Sequence, residues 1–183
     1  MHTMNRIPIF VVFVFALLAA TGCRQLTLTP GTTDTLVGEP APAFSSRKLN
    51  ASDHLAIDDL RGKVVLVDFW AVFCGPCRDS MPHLQDFFQR YPAEDLAIVS
   101  VNLDPPDSGR EAMVTDYLRA SGFTFDVVLD NGRVAGLYGA NRIPRMVLID
   151  RAGTVRRVFQ GRTDVRIIEG AIQALLSDAD SPG

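Results

Sequence analysis

Cys74-Gly75-Pro76-Cys77, lying directly after the apolar run Val64 to Phe73, holds the residue types in this chain best suited to chemistry. Two thiols three positions apart come within bonding distance if a helix starts at the first of them. Free backbone N–H groups and the helix dipole at that start favour a thiolate. Disulfide exchange needs one thiolate to attack a substrate sulfur and a second thiol to resolve the mixed disulfide. The pair therefore reads as a redox-active dithiol that needs no metal and no cofactor beyond its own disulfide.

Other chemistries of cysteine fit poorly. Covalent haem attachment requires His directly after the second Cys, and residue 78 is Arg. A structural zinc site needs four ligands, which one Cys-x-x-Cys with distant single histidines does not supply. A peroxidatic cysteine would sit three residues after Thr or Ser, and residue 71 is Ala. His54 and His83 read as surface or capping side chains.

The elements that must position the dithiol follow from periodicity. Lys63 to Trp70 is a nearly continuous apolar run of strand length, as for a central strand covered on both faces, broken only by Asp68. Cys77 to Tyr91 carries Met81, Leu84, Phe87 and Phe88 at helical spacing, with Pro82 inside as an expected kink. Leu96 to Leu103 reads as a second strand, Glu111 to Ala120 as a helix, Phe125 to Asp130 as a short strand and Val134 to Tyr138 as a turn or two of helix. Arg145 to Asp150 and Thr154 to Gln160 flank the hairpin connection Arg151-Ala152-Gly153. Asp164 is placed to cap a last helix with Ile167, Ile168, Ala171, Ile172, Leu175 and Leu176 on one face. Before all of these, Gly38 to Leu60 reads as a lead-in hairpin turning near Asn50 to Asp53. The order implies an α/β domain with a mixed sheet and helices on both faces.

The chain has 183 residues, enough for one domain plus appendages, with 18 basic and 21 acidic side chains and a formal net charge of −3. Nothing in that balance points to nucleic acid. The N-terminus carries Arg6, the apolar run Ile7 to Ala20, and small residues before Cys23. That is a secretory signal pattern, and the run is short of the about 20 apolar residues of a spanning helix. Small residues followed directly by Cys resemble a bacterial lipobox, which makes residues 1–22 a lipoprotein signal peptide and Cys23 the lipidated first residue of the mature protein. Acylation would also remove the odd thiol of three in an oxidising compartment, leaving Cys74 and Cys77 as the only pair. Thr-rich residues 24–37 read as a tether reaching roughly 45–50 Å extended and about 20 Å as a coil. The domain is expected over 38–178 and a disordered tail over 179–183.

Val65-Leu66-Val67-Asp68-Phe69-Trp70-Ala71 before Cys74-Gly75-Pro76-Cys77 resembles the active-site strand and motif of the thioredoxin superfamily. Gly38-Glu39-Pro40-Ala41-Pro42-Ala43-Phe44, Leu60-Arg61-Gly62-Lys63-Val64-Val65 and the helix-containing insertion after the second core strand are similar to its extracytoplasmic TlpA/ResA-like branch, related to AhpC/TSA redoxins. The resemblance covers roughly residues 38–176. It implies a thioredoxin-like fold, Cys74 as exposed nucleophile and Cys77 as resolving thiol. Asp68 would stand behind the dithiol as acceptor of the Cys77 proton, its pKa raised by burial. The bland alternative is an Asp bonded to backbone or to Lys63.

By the same analogy Ile143-Pro144 is a cis-proline loop that presents a backbone edge to substrate, and Trp70 and Phe73 form an apolar collar around Cys74. Three positions depart from the common pattern. Phe73 stands where Trp is common. Asp68 is acidic, as in thioredoxin, where many TlpA-like proteins carry a neutral residue. Arg145 follows the cis-proline where a small hydroxyl residue is common, and it either meets thiolate or an acidic substrate, or points to solvent.

Gly-Pro between the cysteines resembles the reducing members. The implied activity is a membrane-tethered, extracytoplasmic reductase of exported protein disulfides, fed by a membrane thiol-electron transporter, with apocytochrome c as one candidate client. An oxidase or isomerase uses the same frame in other directions. A different class is a tethered copper carrier using Cys74, Cys77 and a histidine, since soft thiolates suit Cu(I).

Overall fold

Val64–Trp70 forms β3, and every one of its seven residues is buried. A strand with no polar alternation must be covered on both sides, and β3 lies at the centre of a five-stranded sheet ordered β5-β4-β3-β6-β7. The computed structural model describes residues 34–177. The expected signal peptide, the expected lipidation site Cys23, the first part of the expected tether and the expected C-terminal tail lie outside them.

Ahead of the sheet, β1 (Ser45–Arg47) and β2 (His54–Ala56) pair antiparallel as the lead-in hairpin, with Asn50 in its turn at φ 58°. Asn tolerates this left-handed conformation better than most side chains. A 3-10 turn, Ile57–Leu60, leads into β3. Then follow α1 (Gly75–Arg90), β4 (Leu96–Asn102), α2 (Arg110–Ser121), β5 (Asp126–Leu129), α3 (Arg133–Leu137), β6 (Arg145–Ile149), β7 (Val155–Gln160) and α4 (Val165–Ser177). The β3–β4 and β4–β5 pairings are parallel, and the β3–β6 and β6–β7 pairings antiparallel. The insertion after the second core strand is α2 with β5, which extends the sheet at its β4 edge.

Side chains of β3 alternate between two apolar layers. Val64, Leu66 and Trp70 meet Met81, Leu84 and Phe87 of α1, Val114 of α2, and Ile168 and Ile172 of α4. Val65, Val67 and Phe69 meet Val134 and Tyr138 near α3 together with Phe44, Leu55 and Ile57 of the lead-in segment. Fully burying each large apolar side chain contributes about 2 kcal/mol, so both layers are needed to hold the sheet.

Local signals set the boundaries. α2 stops at Gly122, whose φ of +72° is open to glycine, and the N–H of Gly122 reaches the Arg119 and Leu118 carbonyls. In the β6–β7 connection Gly153 has φ +83°, and a Cβ there would collide with the Arg61 guanidinium, which bonds the Ala152 carbonyl. Asp164 caps α4 as expected, its Oδ1 accepting from the N–H of Arg166 at 2.9 Å.

One boundary differs from the sequence expectation. Residues 34–37, assigned to the tether, are folded onto the domain. Leu36 and Val37 pack against the second layer, and the neighbouring Gly38 N–H donates to the Val155 carbonyl at 2.8 Å. Two apolar residues in a Thr-rich stretch found an apolar surface to cover.

Candidate active site

β3 ends at Trp70, the chain turns through Ala71 to Phe73, and α1 begins with Cys74 as its N-cap. Cys74 Sγ accepts from the Cys77 N–H at 3.3 Å, which places this sulfur at the helix N-terminus. Cys74 and Cys77 are joined in a disulfide. Pro76 occupies the first turn of α1, where no N–H is needed. Further along, the helix runs through Pro82, which has no N–H to give the Arg78 carbonyl.

The two sulfurs differ in access. Cys77 is fully buried and Cys74 is 8 % exposed, with Phe73 beside it 70 % exposed. That asymmetry suits Cys74 as the sulfur a substrate reaches and Cys77 as the inner, resolving one. Trp70 is no part of a surface collar. It is wholly buried, with its ring 5.6 Å from that of Tyr117, so Phe73 alone supplies exposed aromatic surface there. β3 is covered on both faces, so neither parity along it brings a ring to the surface.

Asp68 shares the α1 side of β3 with Leu66 and Trp70, hence with Cys77. It is fully buried, and neither carboxyl oxygen has a hydrogen-bond partner among the described residues. Burial pushes its pKa from the ordinary carboxyl range up to about 7. The alternative of a backbone or Lys63 bond is therefore absent. On the neighbouring strands Ser100 and Met146 stand in register with Asp68. Ser100 Oγ and Trp70 Nε1 are also buried and unpartnered. Three polar groups without partners thus lie on one face behind the disulfide.

The turn carrying Phe73 has a brace that sequence reasoning missed. Asp104 Oδ2 accepts from the Val72 N–H at 2.8 Å and from Asn102 Nδ2 at 2.7 Å. Arg110 Nη1 donates to the carbonyls of Asp104 and Asp130. The signal available was polar Asn102 and Asp104 flanking the end of an otherwise apolar strand.

The Ile143–Pro144 peptide bond is cis. Pro144 and Pro76 both line a cavity of about 180 Å³, together with Leu84, Phe87, Phe159 and Ile168. Ile143 packs at the margin of the layer holding both cysteines. Arg145 does not join this surface, contrary to its expected place among the docking residues. It points to the opposite sheet face from Met146, is 6 % exposed, and bonds Tyr138, Gln160 and Asp34. His54 and His83 are exposed. Among the described residues no group of three or more His, Cys, Asp and Glu side chains gathers as a metal site would.

A cysteine pair at a helix N-terminus, a buried carboxyl on the same side of the sheet and a cis-proline lining one cavity with Pro76, on a sheet of this order, define a thioredoxin-fold thiol-disulfide oxidoreductase. The comparisons agree. The AhpC/TSA family model matches residues 37–158. Thiol-disulfide oxidoreductase ResA of Oceanobacillus iheyensis is 33% identical over 138 residues, 73% of this chain and 70% of that protein. ResA of Geobacillus kaustophilus is 28% identical over 96% of this chain and 99% of its own length. Among solved structures, a DsbE-type thiol:disulfide interchange protein of Chlorobium tepidum superposes with TM-score 0.69 at 33% identity, covering 76% of this chain and 97% of that one. The chain belongs to the AhpC/TSA family and, within it, to the ResA-like thiol-disulfide oxidoreductases.

Proposed function

We propose that the protein is a reductase of protein disulfides, working outside the cytoplasm on a lipid tether at Cys23. The observation that carries the chemistry is the buried, unpartnered Asp68 on the Cys77 side of β3. In the reduced enzyme the Cys74 thiolate attacks one sulfur of a substrate disulfide, forming a mixed disulfide and releasing the other substrate sulfur as a thiolate. Cys77 then gives its proton to Asp68, directly or through a water, and attacks Cys74 Sγ. The substrate leaves as a dithiol and the enzyme as the Cys74–Cys77 disulfide. Two electrons have passed from enzyme to substrate. A carboxyl with a pKa near 7 is half ionised at neutral pH, so it can take that proton and release it again.

Restoring the dithiol needs two electrons from outside, and the family resemblance points to a membrane thiol-electron transporter as their donor. The export-type N-terminus supports the extracytoplasmic reading. Among the described residues no helix is long and apolar enough to cross a membrane. The client class is exported proteins with accessible disulfides, with the oxidised Cys-x-x-Cys-His of apocytochrome c as the specific candidate.

The test replaces Cys77 with Ser in the native host and identifies chains trapped on Cys74. Apocytochrome c as the dominant adduct supports the specific client, and a broad set of exported proteins supports general repair. Cytoplasmic adducts only would overturn the location. Purified wild-type protein that fails to reduce insulin disulfides under a dithiol donor would overturn the reductase direction in favour of oxidase or isomerase work.

A further inference from the structure

Arg145, immediately after the cis-proline, is a three-way joint. Its Nε donates to the Tyr138 carbonyl at 2.8 Å, its Nη1 to Gln160 Oε1 at 3.0 Å and its Nη2 to Asp34 Oδ2 at 2.7 Å. Gln160, the last residue of β7, turns its amide nitrogen to the carbonyls of Arg142 at 3.0 Å and Pro144 at 3.2 Å. Those two carbonyls bracket Ile143. Because Arg has only donors and the carbonyls only accept, a single orientation of the Gln160 amide satisfies both sides. The Gly161 N–H adds a bond to the Pro144 carbonyl at 2.8 Å. At the other end, Asp34 Oδ1 accepts from the Leu36 N–H at 3.1 Å and so holds the entry of the N-terminal segment into the domain. A continuous hydrogen-bonded path joins that entry point to the loop beside the dithiol.

We propose that Asp34, Arg145 and Gln160 are positioning residues for the cis-proline loop, fixing the Arg142–Pro144 backbone edge where a substrate chain meets it. Their bonds make the loop's position depend on the seating of the N-terminal segment. This deepens the reading above and rests on its premise that the substrate is a polypeptide docking along this edge. A buried ion pair is weak evidence for stability, because apolar replacements often serve as well or better. Its distinctive contribution is direction. Each partner here accepts or donates along a fixed line, and the line ends on loop carbonyls. A polypeptide substrate uses that edge, whereas a small disulfide needs only Cys74.

The experiment uses the full chain with Asp34→Asn, Gln160→Leu and the double variant. Gln160 is exposed, so its replacement does not hollow the core. Insulin and hydroxyethyl disulfide are compared as substrates under a dithiol donor, with kcat and KM separated. The ratio of insulin to hydroxyethyl disulfide kcat/KM should fall at least threefold in each single variant, chiefly through KM for insulin. The double variant should fall little further than the worse single one, since both break one path. An unchanged ratio in both single variants, or fully additive losses, would overturn the proposal. Amide exchange of residues 142–146 gives a second reading independent of turnover. Exchange at least tenfold faster in both variants is expected, and unchanged exchange overturns the proposal. If wild type reduces neither disulfide, the reductase reading fails, and amide exchange alone decides this one.

Discussion

The two faces of the central sheet each bury a charged residue type, and they treat it in opposite ways. On the α1 face Asp68 is fully buried with no hydrogen-bond partner, beside unpartnered Ser100 and Trp70 Nε1. On the other face Arg145 is nearly as buried, yet each of its three guanidinium nitrogens donates a hydrogen bond. A buried ionisable group without partners resists its charge, and its pKa moves toward neutrality. A buried group with directed partners becomes a joint. The first arrangement moves protons and the second holds geometry, and the dithiol needs both within one strand pair.

Removing the reacting sulfur is the largest test of which face does chemistry. Cys74→Ser should abolish insulin reduction, a loss of more than about 10³-fold, with folding kept, as read by turnover and circular dichroism. Measurable turnover at a tenth of the wild-type rate would place the nucleophile elsewhere.

Asp68→Asn comes next and sharpens the contrast directly. Resolution of the Cys74 mixed disulfide at pH 7 should slow by about 10²-fold, followed by quenched-flow trapping. The same variant changes stability with a definite sign. The folded pKa of about 7 lies above the unfolded value of 3.8, so the folded state binds more protons between them. Stability of the oxidised wild type should therefore fall as pH rises from about 4 to 7, by about 4 kcal/mol, and level off above that. Asp68→Asn should flatten the profile in urea titrations. A wild-type profile already flat across this window would mean Asp68 is ionised and solvated.

On the opposite face Arg145→Met should cost about 2 kcal/mol, less than a fully buried pair because Asp34 can turn to water. The melting temperature should drop by several degrees, with no change in the pH profile that Asp68 produces. A shift of that profile would show that the two faces are coupled. The smallest effect belongs to the exposed pair Arg162–Asp79 at the cavity mouth, side chains 70% and 60% exposed. Arg162→Ala should leave the denaturation midpoint where it is, since exposed pairs are screened and entropically costly.

Much of the Asp68 side was legible beforehand. The uninterrupted apolar run, the Cys-Gly-Pro-Cys that follows it and the helical spacing beyond are local signals, and they located β3, α1 and the dithiol. Parity along β3 also follows from the chain, because Asp68 lies two residues from both Leu66 and Trp70. The Arg145 side was not legible. Arg145 to Ile149 is buried on both faces, so no polar alternation says which way Arg145 points. Its partners lie 7, 15 and 111 residues away. Trp70 proved to be the packing residue that was the alternative to a collar: it shares the layer of both cysteines, and nearness to Cys74 along the chain does not say whether the ring reaches the surface there.

By itself, then, the sequence determined what depends on neighbours along the chain: the strand, the helix start and the paired thiols. Through resemblance it also identified the cis-proline loop and a carboxyl on the dithiol's side of the sheet. Only the tertiary structure decided what depends on cover and reach. It buried Asp68 without a partner among the described residues, turned Arg145 away from the substrate surface, and seated Asp34 where the N-terminal segment enters the domain. The physical reason is that a side chain's identity travels with the chain, whereas its solvent and its partners are supplied by segments distant in sequence.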